Sequence, residues 1–267
     1  MTNPSTIRSR LVAHRLRAGL AAAVLSLAAQ ACGTTEAPGP LQPTQPFGRV
    51  RFVNLIVDNA RNPVNPILEG LPFGAGVAYG VAVPASLAAP NTGTYAPIYA
   101  GNRTLVLRRT ADTAVTLASI PFAVTADQDR TIYATGGTSG GAVTNFITTD
   151  DNQAPAAGQV RVRVVHLSPT AGSVDIFVTT TTADLATATP TLAAVGPSTA
   201  SAYLSVAPGT YRVRVVPAGT APAARAGAVA LDVHNLALPA NGARTIVAAD
   251  GTTGVGAPVR GFVLTDR

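Results

Sequence analysis

His166 closes the run VRVRVVHLSP (160–169), with Ser168 two residues on and Asp175 nine. Serine, histidine and aspartate are the side chains of nucleophilic acyl transfer, which needs all three in mutual hydrogen-bond reach. The chain has no GxSxG nucleophile elbow, and spacing alone does not bring these three together. Along the strand His166 shares parity with Val162 and Val164, the inward positions, and a turn follows at once. The expectation is therefore a structural imidazole that hydrogen-bonds turn backbone. Asn54 stands at the matching place in the related stretch VRFVNL (50–55). An amide there can make the same bonds and cannot act as a general base.

His234, in LDVHN, and the single cysteine, Cys32, complete the soft-ligand inventory beyond the leader. They show no metal-ligand spacing, so no zinc or copper site is expected. Asp127 and Asp129, and Asp150 and Asp151, supply oxygen ligands that would suit an interdomain calcium ion. Neither pair follows the D-x-[DN]-x-[DN]-G loop, and turn formation is the expected role. The glycine-rich turns TGGTSGG and DGTTGVG lack a following helix and a Gly-Lys-Ser/Thr, so they do not read as phosphate loops. No catalytic residue and no cofactor is expected.

All nineteen basic residues are arginine. Four of them, Arg8, Arg10, Arg15 and Arg17, open the chain and precede the apolar run AGLAAAVLSLAA (18–29), a basic segment and hydrophobic stretch typical of an export signal. That run is too short to span a bilayer. Without the leader, fifteen arginines face thirteen acids, a net charge of +2. So weak a field, with no lysine and few aromatics, argues against a nucleic-acid partner. Arg161 and Arg163, and Arg212 and Arg214, alternate with branched residues on two predicted strands. Were those strands neighbours, the four would form a solvent-facing basic stripe for an acidic polymer or lipid headgroups. Tyr95 and Tyr99, with Tyr79 nearby, are the best local candidates for a glycan-binding surface.

Two processing routes meet at one bond. Ala29-Gln30-Ala31 suits an ordinary signal peptidase, whereas Cys32 directly after it suits lipidation of an exported protein, although Ala29 and Gln30 match the usual lipobox poorly. The only cysteine of the chain lies at the single position where lipidation would use it, and the Thr/Pro/Gly-rich segment GTTEAPGPLQPTQP follows as a flexible tether. The reading adopted is a signal peptide over 1–31, lipidation at Cys32 and a tether over 32–46. With one cysteine there is no internal disulfide, so each domain must stand on its hydrophobic core.

The rest of the chain repeats itself. VRFVNL answers VRVVHL, Arg130-Thr131-Ile132 answers Arg244-Thr245-Ile246, and FITTD (146–150) answers FVLTD (262–266), at offsets of 112, 114 and 116 residues. Three echoes in order indicate tandem domains, 47–153 and 158–267, joined through DDNQAPAAG. Period-2 alternation bounded by Gly and Pro predicts about seven strands in each, among them 50–55, 77–83, 131–134, 161–164, 211–215 and 259–264. The stretch 185–195 reads as loop or weak strand, and PASLAAPNTGTYAPIYAG as an insert.

VRVVHLSPTAGSVDIFV, YLSVAPGTYRVRVVPAGT and the terminal RTIVAADG…FVLTD resemble the DUF4397 family of bacterial exported domains. The resemblance is clear in the second domain and divergent in the first. It implies tandem immunoglobulin-like β-sandwiches on an exported protein, and it supplies no activity or catalytic residues. The expectation is an all-β chain, two tandem immunoglobulin-like antiparallel sandwiches behind a signal peptide and tether. Its expected function is that of a non-enzymatic, lipid-anchored structural or protein-interaction module of the cell envelope. A carbohydrate-binding or adhesion module is the alternative. The expected partners are a membrane, through lipid on Cys32, and an envelope protein or glycan.

Overall fold

Strand propensity along this chain is carried by valine, isoleucine and threonine in short runs cut by Gly and Pro, and no run is long enough for a stable helix. The structure, a computed structural model, describes residues 45–84, 94–252 and 258–267. The expected signal peptide, Cys32 and the expected tether to residue 44 lie outside the described residues, as do 85–93 of the expected insert and 253–257 of the second glycine-rich turn.

The first domain contributes β1 (Phe47–Asn54), β2 (Val64–Leu68), β3 (Leu71–Pro72), β4 (Ala82–Val83), β5 (Ala96–Tyr99), β6 (Gly101–Arg109), β7 (Asp112–Val124), β8 (Asp129–Gly136) and β9 (Val143–Asp150). The second contributes β10 (Val160–Leu167), β11 (Val174–Thr180), β12 (Leu192–Val195), β13 (Thr199–Ala200), β14 (Leu204–Val206), β15 (Gly209–Pro217), β16 (Leu231–Leu238), β17 (Ala243–Asp250) and β18 (Val259–Thr265). The first domain has one sheet in the order β4-β1-β8-β9, with β5 also on β1, and another in the order β3-β2-β6-β7. The second domain repeats both, as β13-β10-β17-β18 with β14 on β10, and β12-β11-β15-β16.

Three expectations are corrected here. The sheets are not wholly antiparallel, because β1 runs parallel to β8 and β10 parallel to β17. The expected insert contains β5, the counterpart of β14, so its described part belongs to the shared plan. The strand expected over 77–83 is reduced to a bridge between Val77 and Val64, followed by β4.

Each domain closes as a sandwich-like pair of sheets. Val50, Phe52 and Ile132 of one sheet meet Val64, Leu105 and Ile120 of the other, and Val162, Val164 and Ile246 meet Ile176, Val213 and Val215 in the second domain. The outer faces of the β1 and β10 sheets are then buried against each other. Val53, Leu55 and Tyr133 pack on Val165, Leu167 and Val247 in a further apolar cluster. The chain therefore stacks four sheets, and residues Pro46–Arg267 form one compact unit. This explains why β1 and β10 are buried at successive positions and not at alternate ones. A strand covered on both faces loses its period-2 signature.

The seam is tight at Gly80. Its φ is +79°, and a Cβ there would lie 2.4 Å from the Phe262 ring, which packs edge-on against Tyr79 at 5.5 Å between centroids. Gly80→Ala is expected to destabilise the protein by about 1–3 kcal/mol through overpacking and left-handed backbone. Adding Phe262→Ala should cost less than it does alone, as read by chemical denaturation. Strict additivity would mean that the two do not share the seam.

Candidate functional site

The three repeated motifs converge on the face between the domains. Arg51 of β1 and Arg163 of β10 are only 1% and 2% exposed, each on the face its strand turns toward the other domain. Arg51 donates to Thr131 Oγ1 at 2.9 Å within its own domain, then reaches across to Asp266 Oδ1 at 2.7 Å and the Thr265 carbonyl at 2.9 Å. Arg163 repeats this pattern. It donates to Thr245 Oγ1 at 2.7 Å, to Asp150 Oδ1 and to the Thr149 carbonyl at 3.4 Å.

The carboxylates close the figure. Thr131 and Tyr95 donate to Asp150, and Thr245 and Tyr203 donate to Asp266, the tyrosines at 2.8 and 3.0 Å. Tyr95 lies under the Arg51 guanidinium at 4.4 Å and Tyr203 under that of Arg163 at 4.9 Å, within cation–π range. Arg, Thr, Asp and Tyr thus occur twice, each arginine served by the other domain's aspartate. This is the pattern of an isologous dimer interface, drawn within one chain.

Burial opposes the charge on both arginines, yet the facing tyrosines and carboxylates carry both guanidiniums above their ordinary value. Burial also pushes the Tyr95 and Tyr203 phenols well up, and those of Tyr79 and Tyr133 to about 12. The geometry couples two sheets through charge-assisted hydrogen bonds.

The sequence-selected residues lie in separate places. Arg161 and Arg163 are in the β10 sheet, Arg212 and Arg214 in the β15 sheet on the far side of the second domain. No continuous basic stripe forms. Arg163 is buried in the seam. Arg161 pairs with Asp151 at 2.5 Å and holds its carboxyl below the usual range. Arg212 does the same to Asp232, which His234 Nε2 approaches at 2.9 Å. Arg214 is buried and donates to Thr179 Oγ1 and the Ala183 carbonyl. Alternation predicts that these arginines face solvent, but a strand covered on both faces buries Arg163 and Arg214. Tyr95 is likewise buried, so it and the exposed Tyr99 do not form one surface.

His166 is fully buried and its Nε2 donates to the Gly172 carbonyl at 2.8 Å, across the turn after β10. Asn54 does the corresponding work, donating to the Val77 carbonyl and to Asn62 and accepting from the Ile56 amide. Ser168 is held by Asp250, and Asp175 accepts from the Ala194 amide, so neither bonds the imidazole. The acidic pairs line one groove of about 400 Å³, but Arg49 clamps Asp129 through both oxygens at 2.6 Å, and Asp150 belongs to the seam. Among the described residues no three His, Cys, Asp or Glu side chains are placed to hold a metal.

Sequence reasoning missed a second feature, an apolar groove of about 780 Å³ in the first domain. Phe47, Leu68, Leu71, Phe73, Ile98 and Tyr99 form most of its wall, where β5 and the β2–β3 hairpin flank the gap between the two sheets. Leu71, Tyr99 and Phe47 are 71%, 59% and 47% exposed. Of these residues only Tyr99, a candidate for a binding surface, is singled out by the sequence.

A family model described as a domain of unknown function, DUF4397, matches residues 48–177. Those residues carry a DUF4397 domain. No curated protein matches the chain. The match covers the first sandwich except Phe47, and only β10 and most of β11 in the second, although the sequence resemblance is clearer in the second. The matched stretch includes both arginines of the seam and Asp150, but not Thr245 or Asp266.

Two outcomes follow for the seam. Asp266→Ala strands the buried Arg51 guanidinium and is expected to cost about 3–5 kcal/mol, whereas Arg51→Met with Asp266→Leu should recover much of that loss. Denaturant titration of the two variants decides this, and a loss under about 0.5 kcal/mol for the single change would mean that water reaches the arginine. The second outcome is alkaline sensitivity. Tyr79, Tyr95, Tyr133 and Tyr203 have folded pKa values above the ordinary 10.0. The unfolded chain therefore releases their protons first, so their contribution is complete below pH 10 and is lost as pH climbs toward about 12 and beyond. Phenolate absorbance of these four should appear together with loss of the fold. Their full ionisation near pH 10 with the fold intact would contradict this.

Proposed function

We propose that this chain is a non-enzymatic accessory protein of the cell envelope, a structural or protein-interaction module held at a membrane by lipid on Cys32. Residues 158–267 are taken as a second, divergent copy of the DUF4397 domain, and both sandwiches as immunoglobulin-like. The observation that supports this most is where the polar chemistry goes. The buried arginines, threonines, tyrosines and aspartates at the domain junction are spent on one another, in a reciprocal network that joins the sandwiches. His166, the natural general base, is spent on the Gly172 carbonyl. A module that works by contact needs rigidity and surface, and joined sandwiches supply both.

The leader, the cysteine at its end and the following tether support the anchored location. The test is the intact mass and N-terminal peptide of the mature protein from its native host. A diacylglyceryl-modified Cys32 is expected. An unmodified N-terminus at Cys32 would replace the anchor with a periplasmic or secreted protein, and a chain beginning at Met1 or Thr2 would overturn export.

A further inference from the structure

The groove of the first domain is not demanded by its fold, because the second domain is built to the same plan without its aromatic rim. Phe47 and Tyr99 are partners across β1 and β5. At the matching places, beside β10 and β14, stand Gln159 and Ala207. The same sheet pair therefore forms with a polar and a small residue where the first domain exposes two rings. Leu71 is presented just as deliberately. Glu69 and Gly70 have φ of 49° and 82°, the paired left-handed conformation of a tight two-residue hairpin turn, and they hold Leu71 out at 71% exposure.

The groove's charged groups select its occupant. Glu69 Oε1 accepts from the Thr104 amide at 2.7 Å. Arg103 donates to the carbonyls of Tyr99 and Ala100. Both charged side chains at the rim thus already bond backbone, and the rest of the wall is apolar apart from the Tyr99 hydroxyl. What remains is an apolar wall with an aromatic edge and a guanidinium, the make-up of a surface that seats at the boundary between headgroups and acyl chains.

Position agrees. Phe47 is both the first residue of β1 and a wall of the groove, and it lies fifteen residues after Cys32. Fifteen residues span at most about 50 Å. A lipid on Cys32 would keep this end of the first domain within that distance of the bilayer, and so at high effective concentration.

We propose that the groove end of the first domain docks on a lipid bilayer, with Leu71, Phe47 and Tyr99 entering the interface. This rests on the anchored reading for its location, but not for its test. The mature chain carrying Cys32→Ser, and hence no acyl group, is mixed with vesicles of phosphatidylethanolamine and phosphatidylglycerol and sedimented. It is expected to bind, with little loss at high salt because the contact is apolar. Phe47→Gln with Tyr99→Ala installs the residues of the second domain, so the fold should survive, as checked by circular dichroism and melting. Partitioning should fall at least about tenfold in this variant, since each aromatic withdrawn removes buried apolar area. Leu71→Asp should act in the same direction. No binding by the parent, equal binding by the variants, or concentration-dependent self-association through these residues in place of vesicle binding would each overturn the proposal. Failure here with an acylated Cys32 in the native protein would leave the anchor standing. Success with an unmodified Cys32 would leave docking without it.

Discussion

Two guanidiniums, on Arg51 and Arg163, lie between sheets where water does not reach them, and the arrangement of the domains follows from how their charge is met. Each meets a carboxylate at the end of the other domain's last strand, and Arg51 also lies 3.7 Å from Asp150 of its own domain. Separating the domains would leave four charged groups and two phenols on faces that also carry Val53, Leu55, Val165 and Val247. Buried pairs of this kind add little net stability over apolar packing, but removing one partner is costly. Their effect is to select one register between the two sheets. The apolar cluster supplies the burial, and the ion pairs decide which residues must face which.

The symmetry of the seam suggests how such a protein arises. A single sandwich with Arg, Thr, Tyr and Asp on one sheet face is complementary to a copy of itself about a two-fold axis, and duplication within one gene fixes that pairing in cis. Once joined, the copies are free to differ away from the seam. They do so at the groove, where Phe47 and Tyr99 stand against Gln159 and Ala207, and at the turn after the first strand, where Asn54 and His166 bond different partners to the same end. Divergence that spares the network and alters the surface fits the contact role proposed above.

Much of the fold was legible. The three echoed motifs marked two domains because the seam needs the same Arg, Thr and Asp twice, and strand runs were visible wherever one face met core and the other met solvent. Two side-chain expectations fail for one reason. Arg163 is buried where solvent is expected, and Tyr95 where a surface ring is expected, because alternation reports that a strand has two different faces and says nothing of what covers the second. The parallel pairing of β1 with β8 was equally invisible, since strands carry no mark of their partner's direction.

Local pattern therefore determined the all-β class, the duplication and the absence of a recognisable catalytic motif, properties that depend on periodicity and spacing within a few residues. Only the tertiary structure decided that the repeated residues meet, that each arginine crosses to the opposite domain, and that two aromatics with a leucine surround one groove. Those facts depend on contacts that reach up to 215 positions along the chain, from Arg51 to Asp266, and the packing that makes them is set by burial on sheet faces that no local window contains.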